Sequence, residues 1–266
     1  EMWERMSYYG MRAMLVLFMT ASIQEGGLAI TVASATAIYG LYTGSVYLMG
    51  LPGGWMADRL IGGQKAVWYG GIIIMCGHIV LAIPNDHTFF IGLILVVLGT
   101  GLLKPNIGAL VGQLYSSDDE RRDSGYTLYY LGINLGSVIG YTVCGYLRIN
   151  MGWHWAFGAA AIGMGIGLIL YKKTLSKLEG AGAEPTVKLS PKAAKISWSV
   201  IGLFLLGVVV VAYMLMNNMM AFNAVAVAQK FAVLATVLFL GYFAAIFFLG
   251  NNSPNEKRQL GALFLV

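Results

Sequence analysis

The chain opens EMWERMSYYGMR, so that Glu1, Glu4, Arg5 and Arg12, with Tyr8 and Tyr9 between them, stand directly before the apolar run AMLVLFMT. Carboxylates interleaved with guanidiniums at this spacing can trade ion-pair partners and take up protons. At 100° per residue on a helix, these six side chains crowd an arc of about 140°. The rest of that helix surface is Met, Leu, Val and Ala, so the polar stripe is predicted to look into a helix bundle and away from lipid. A single charge near mid-bilayer costs at least ~2.5–3.5 kcal/mol on insertion scales, and four unpaired charges would be untenable. Arg5 can pair with Glu1 or Glu4; Arg12 still needs an anionic partner or water. The competing reading is an ion-pair knot that only joins helices, or charges resting at the membrane interface.

Lys104 adds to the pattern. It lies in GTGLLKPNIG, where Pro105 removes a backbone donor and kinks the helix and where Gly99 and Gly101 are expected to loosen it. A lysine at a mid-span kink is available as a counter-charge for Glu1 and Glu4. A later stretch has two faces: Gly132, Gly136 and Gly140 repeat every four residues as a close-packing seam, while Tyr126, Tyr130, Asn134, Ser137 and Tyr141 follow a separate polar face. Together these residues predict an aqueous cavity holding Arg12, Lys104, Asn134 and several tyrosines, with two carboxylates nearby. The cations and the amide suit a ligand that carries a carboxylate and backbone amides. Pairing with Arg5 or Lys104 favours the charged carboxylate, and separation inside a dry bundle favours the protonated one, which would couple proton binding to shape.

The elements that position these groups follow from composition. Of 266 residues, 58% are hydrophobic and 11% charged, with 35 glycines; a soluble domain has about 25% charged residues. Apolar runs of about 20 residues recur, long enough to cross the hydrocarbon. Spans are predicted near 1–21, 31–57, 66–84, 88–113, 124–147, 155–172, 196–216 and 225–249, with a further start from 259. A signal peptide does not fit, because the first apolar stretch has acidic flanks and many spans follow it. The chain reads as beginning inside one helix and stopping in the first turns of another. Alternate connections carry Arg59, Lys65, Arg121, Arg122, Lys172, Lys173, Lys177, Lys188, Lys192, Lys195, Lys257 and Arg258, and the opposite set carries only Arg148. That asymmetry places the first set in the cytoplasm. Lys230, about one turn into its span, can snorkel to the outer interface.

The fold class is therefore all-α, a polytopic transmembrane bundle. Residues 1–172 are expected to form six helices, 173–195 a flexible cytoplasmic linker, 196–250 two further transmembrane helices, and 251–266 a cytoplasmic loop and helix start. Cys76 and Cys144 fall within apolar segments as small packing residues. His78, His87 and His154 are scattered, with no metal-ligand spacing and no nucleophile beside a base, so an enzyme is not expected.

Four motifs, in order, resemble the proton-dependent oligopeptide transporter family of the major facilitator superfamily, bacterial type. EMWERMSYYG is similar to its E-x-x-E-R-F-x-Y-Y-G signature, with Met6 in place of the usual Phe. YTLYYLGINLGSV, at 126–138, resembles its fifth-helix signature, and LLKPN its fourth-helix lysine. GGWMADRLIGG, at 53–63, resembles the G-x-x-x-D-R-x-x-G loop of the superfamily. The pair at 196–249 is similar to two helices that bacterial members insert between their halves. Gly40 stands where animal relatives have a histidine, and Gly50 where a proline is common. The resemblance implies proton-driven import of di- and tripeptides in an inner membrane, with protons as the coupling ion, no other cofactor and no nucleic-acid partner. It implies that Glu1, Glu4, Arg5 and Lys104 serve proton coupling. Tyr9, Arg12, Tyr47, Lys104, Tyr130 and Asn134 would line the peptide site, and Asp58 and Arg59 would belong to a conformational loop. A second half of the same transporter is the expected partner. The alternative is a facilitator for another anionic solute, such as nitrate or an organic acid.

Overall fold

The computed structural model describes residues 1–266 except 117, 218, 251 and 266, with the backbone alone at 86 and 263–265. Among the described residues there are nine α-helices and no strand: α1 (Met2–Thr20), α2 (Val32–Met56), α3 (Gly63–Leu81), α4 (Asp86–Gln113), α5 (Arg121–Met151), α6 (Trp153–Thr174), α7 (Pro191–Met216), α8 (Ala224–Leu249) and α9 (Pro254–Leu265). The chain divides into two compact units, Glu1–Ala221 and Phe222–Val266. This division keeps α7 with the first six helices, whereas the sequence groups it with α8.

Within the first unit, α3 lies along α4, α1 along α5 and α6, and α2 along α4. Small residues set these approaches. The seam of α5 receives α1: a Cβ on Gly136 would fall on the Met2 carbonyl, and one on Gly140 on the Met6 carbonyl. Gly99 and Gly101 do not loosen α4. Gly99 lets α4 meet Gly70 and Ile74 of α3, and Gly101 lets it meet Met49 of α2, with a Cβ there 2.6–2.7 Å from the neighbouring atoms. One end of the bundle is closed by aromatics. Phe18 packs against Phe89, Trp153 and Phe157 at centroid separations of 5.0, 5.6 and 5.4 Å, and the Trp153 indole donates to the Glu25 carbonyl at 3.0 Å. The Ser22 backbone N–H and hydroxyl hold the Glu25 carboxylate below its ordinary pKa.

Five helices are long and apolar enough to cross a membrane: α3, α4 from His87, α6, α7 and α8. The other three long helices, α1, α2 and α5, do not reach that apolarity although they contain 19, 25 and 31 residues. They carry the charged stripe and most of the tyrosines. By contrast α7 and α8, with mean hydropathies of 2.6 and 2.5, bury none of their apolar windows. Such long, exposed apolar windows suit lipid.

The 173–195 connection is held to the bundle by hydrogen bonds that its Gly, Pro and Lys content does not suggest. Gly182 and Ala181 carbonyls accept from the Gln64 backbone N–H (2.9 Å) and side chain (2.8 Å), and the Val187 N–H donates to the Asp58 carbonyl at 3.0 Å. Gly180 and Gly182 have φ of +86° and +68°, a region that suits glycine, and this turns the chain back on the start of α3. Lys188 pairs with Glu184 at 2.5 Å and lowers its carboxylate pKa. The linker also ends earlier than expected, because Ser190 caps α7 by accepting from the Ala193 N–H, so Lys192 and Lys195 belong to the helix. Likewise α9 starts at Pro254 and not at 259, since Ser253 and Glu256 cap each other's backbone N–H at 2.7 and 3.3 Å.

The α1–α5 seam yields a prediction. In the full-length protein, Gly136→Leu should destabilise the fold by ~1–3 kcal/mol through overpacking. Gly145→Leu on the same helix, where nothing lies within 4 Å of a Cβ, should leave the melting temperature unchanged. Thermal unfolding in detergent compares the two, and equal melting would refute the seam.

Candidate functional site

The site starts from the stripe of α1. Once α5 and α6 cover that helix, Glu4, Arg5, Ser7 and Tyr8 are buried. The Arg5 guanidinium lies between two carboxylates, with its Nε 3.0 Å from Glu1 and 2.5 Å from Glu4, and its Nη2 donates to Glu4 at 2.7 Å. This is a charge-assisted, forked arrangement. Arg5 also stands over the Tyr8 ring at 5.0 Å. Two carboxylates thus share one guanidinium in a largely buried site.

Arg12, two turns further along, is only half-buried. It forms no ion pair among the described residues, and its Nε donates to the Tyr39 hydroxyl of α2. Its guanidinium faces the rings of Tyr8 and Tyr39 at 5.9 and 5.6 Å. A guanidinium held only by aromatic rings and a phenol keeps most of its donor fork for an incoming anion. Tyr9 lies at the edge of the same surface, in ring contact with Tyr141 of α5 at 5.9 Å.

Lys104 departs from the sequence reading. Both carboxylates are taken by Arg5, and the lysine pairs with neither within 4 Å; its ammonium sits 4.3 Å above the Tyr47 ring of α2. The reason is geometric, since Arg5 reaches Glu1 and Glu4 from its own helix at one and four residues' separation. The structure therefore joins Glu1, Glu4 and Arg5 in one cluster and Lys104 with Tyr47 in another. Tyr130 and Asn134 lie on the uncovered face of α5, where the Asn134 amide donates to the Tyr130 carbonyl at 3.1 Å. Asp58 and Arg59 occupy a π-helical turn, Ala57–Ile61, below α2, and neither forms an ion pair among the described residues. Asp58 lines a cavity of about 230 Å³ with Gly63, Asn106, Gln113, Glu184 and Thr186.

Three participants were not singled out from the sequence. Tyr39 holds Arg12, Tyr129 interacts with the Glu1 carboxylate, and Asn106 bonds across to α2. The spacing of Tyr39, Thr43 and Tyr47 on one side of α2 is a signal that could have found the first. Tyr129, off the i+4 ladder of Tyr126 and Tyr130, offers none.

What this arrangement can do is bind an anion at an open cationic face and hold or release a proton at a closed acidic one.

The likenesses of the whole chain agree with that chemistry. The profile of the POT family matches residues 64–177. Peptide transporter YePEPT of Yersinia enterocolitica subsp. palearctica is 36% identical across 100% of this chain and 54% of its own length. A di-/tripeptide transporter of Lactococcus lactis subsp. lactis is 38% identical across 98% of this chain and 54% of its own. Among solved structures, a peptide transporter POT in complex with sulfate superposes with a TM-score of 0.87 at 37% identity, covering 99% of this chain and 54% of that one. A POT family transporter in complex with 5-aminolevulinic acid gives 0.89 at 32% identity, covering 98% and 54%. The chain thus spans about half the length of the curated relatives it matches. By its motifs, its helix order and these likenesses, it belongs to the POT family of the major facilitator superfamily.

Proposed function

We propose that this chain is one half of a proton-coupled symporter that imports di- and tripeptides across the inner membrane by alternating access. The observation that carries the reading is the unequal treatment of two arginines on one helix face. Arg5 is buried with two carboxylates, and Arg12, seven residues on, has no carboxylate and faces the open side. In this reading Arg12, with Lys104 and Asn134, addresses the carboxylate and backbone of the peptide, and Tyr9, Tyr47 and Tyr130 line its path. Glu1 and Glu4 share Arg5 in the empty state. Protonation of either carboxylate releases part of the guanidinium fork within α1 and frees Arg5 for another acceptor. A second half of the transporter closes over the site, because transport rocks one half against the other around a midplane site. Asp58 and Arg59 sit in the turn that stabilises one of the two conformations.

A second reading, a carrier for nitrate or an organic acid, draws on the same two cations without carboxylate partners. Uptake of labelled dipeptide against labelled nitrate by the full-length protein in proteoliposomes, with an imposed pH gradient, separates them. The peptide reading expects gradient-dependent accumulation of the dipeptide alone.

Two substitutions test the roles. Glu4→Gln keeps the shape beside Arg5 and removes a titratable group, so uphill accumulation should be lost while counterflow exchange persists; unchanged uphill uptake would remove Glu4 from coupling. Arg12→Ala should weaken peptide affinity by about 10–100-fold, the worth of a charge-assisted hydrogen bond, with little change in melting temperature. Affinity equal to the parent's would move the peptide elsewhere.

A further inference from the structure

Two prolines interrupt neighbouring helices at the same level, Pro52 in α2 and Pro105 in α4. Each lacks the N–H its helix would use, and Pro105 leaves the Gly101 carbonyl without its usual donor. At this level the two backbones touch. A Cβ on Gly53 would fall on that same Gly101 carbonyl, and Gly54 lies against the Pro105 ring. The Cα–H of Gly53 is thus beside the orphaned oxygen, a weak donor in place of the missing one.

Asn106 closes the contact from the other side. It is buried, with 5% exposure, and its Nδ2 donates to the Leu102 carbonyl of its own helix at 2.6 Å and to the Gly53 carbonyl of α2 at 3.4 Å. Among the described residues no other side-chain hydrogen bond joins α2 to α4. Lys104 is two residues before it. Among the described residues the half-buried lysine forms no ion pair, and Tyr47, its aromatic partner, is 63% exposed, so packing does not fix the ring. The place of the ammonium over the ring then depends on the backbones that carry the two side chains.

We propose that Asn106 is a positioning residue for Lys104: its amide clasps the kink of α4 to α2 and so holds the ammonium over Tyr47. The consequence for cargo rests on the reading of Lys104 as a binding group; the clasp itself does not.

The test has two readouts on the full-length protein. Reductive ¹³C-methylation keeps lysines cationic, and Lys104→Arg identifies the Lys104 methyl signal by its loss. In the parent that signal should be displaced upfield by the Tyr47 ring current, and Tyr47→Leu should abolish the displacement. Asn106→Leu, with the same branching and heavy-atom count and without donors, should abolish it as well; a signal left in place would overturn the proposal. Asn106→Ala gives the same measurement should the leucine variant fail to fold. In dipeptide binding, Asn106→Leu should weaken affinity by about tenfold, the loss of one hydrogen bond's worth of positioning. Combined with Lys104→Gln it should add nothing further, since a residue acting through another is not additive with it. Additive losses would show that Asn106 acts on folding alone and would overturn the positioning role. Loss of the ring-current displacement with affinity unchanged would uphold the clasp and overturn the reading of Lys104 as a cargo group.

Discussion

A guanidinium that must sit among apolar helices needs its counter-charges from protein, and Arg5 obtains both from its own helix. Nothing else in the bundle is as demanding. Removing one partner from a buried ion pair typically costs ~3–5 kcal/mol, because a charge is left uncompensated, so the helix that carries Glu1, Glu4 and Arg5 has to be sealed closely and on several sides. That requirement accounts for the glycine seam of α5. Gly136 sits where Arg5 and Met2 pass, and any larger residue would lift α5 off the charges. Met6, one residue from the arginine, fills the space at Gly163 of α6 and completes the seal.

The closed cluster then defines the open one by contrast. Tyr8 lies between the two arginines, its ring facing Arg5 at 5.0 Å and Arg12 at 5.9 Å. The ring joins the cluster in which Arg5 meets two carboxylates to a surface where two cations, Arg12 and Lys104, are supported by aromatic rings in place of carboxylates. Cation–π contacts give each a preferred location worth ~0.5–2 kcal/mol without consuming the charge. An anion approaching this surface meets charges that have not been spent on the protein itself.

Much of this was legible in sequence because it follows from spacing. The helical period alone put Glu1, Glu4, Arg5, Tyr8, Tyr9 and Arg12 on one face and separated the glycines of α5 from its tyrosines, and the structure keeps both divisions. Partner choice was not legible. Charge matching allows Lys104 as well as Arg5 to serve Glu1 and Glu4, and it does not rank a lysine on another helix against an arginine one and four residues away on the same one. Gly99 and Gly101 were read as loosening because glycine weakens an isolated helix; only the neighbouring backbones reveal that the same residues permit close approach. The 173–195 stretch misled for a related reason. Its glycines have positive φ and serve turns, and its hydrogen-bond partners, Gln64 and Asp58, lie more than a hundred residues away. The capping pair Ser253 and Glu256 was readable, and its S-x-x-E spacing marks the start of α9 five residues before the apolar pattern does.

The division among the helices carries a final consequence. The long apolar windows of α7 and α8 are not buried, and lipid can satisfy such surfaces. α2 and α5 differ, since they leave Tyr47, Tyr130 and Asn134 uncovered, and hydrocarbon supplies no partners for phenols and an amide. A membrane protein has two ways to keep such a face: water in a cavity, or another body of protein. The cations beside it make the same demand more strongly, since Arg12 and Lys104 could not persist against lipid tails. The chain spans about half the length of the curated relatives it matches, and the face it presents on α2 and α5 carries cations, phenols and an amide that call for water or protein opposite them.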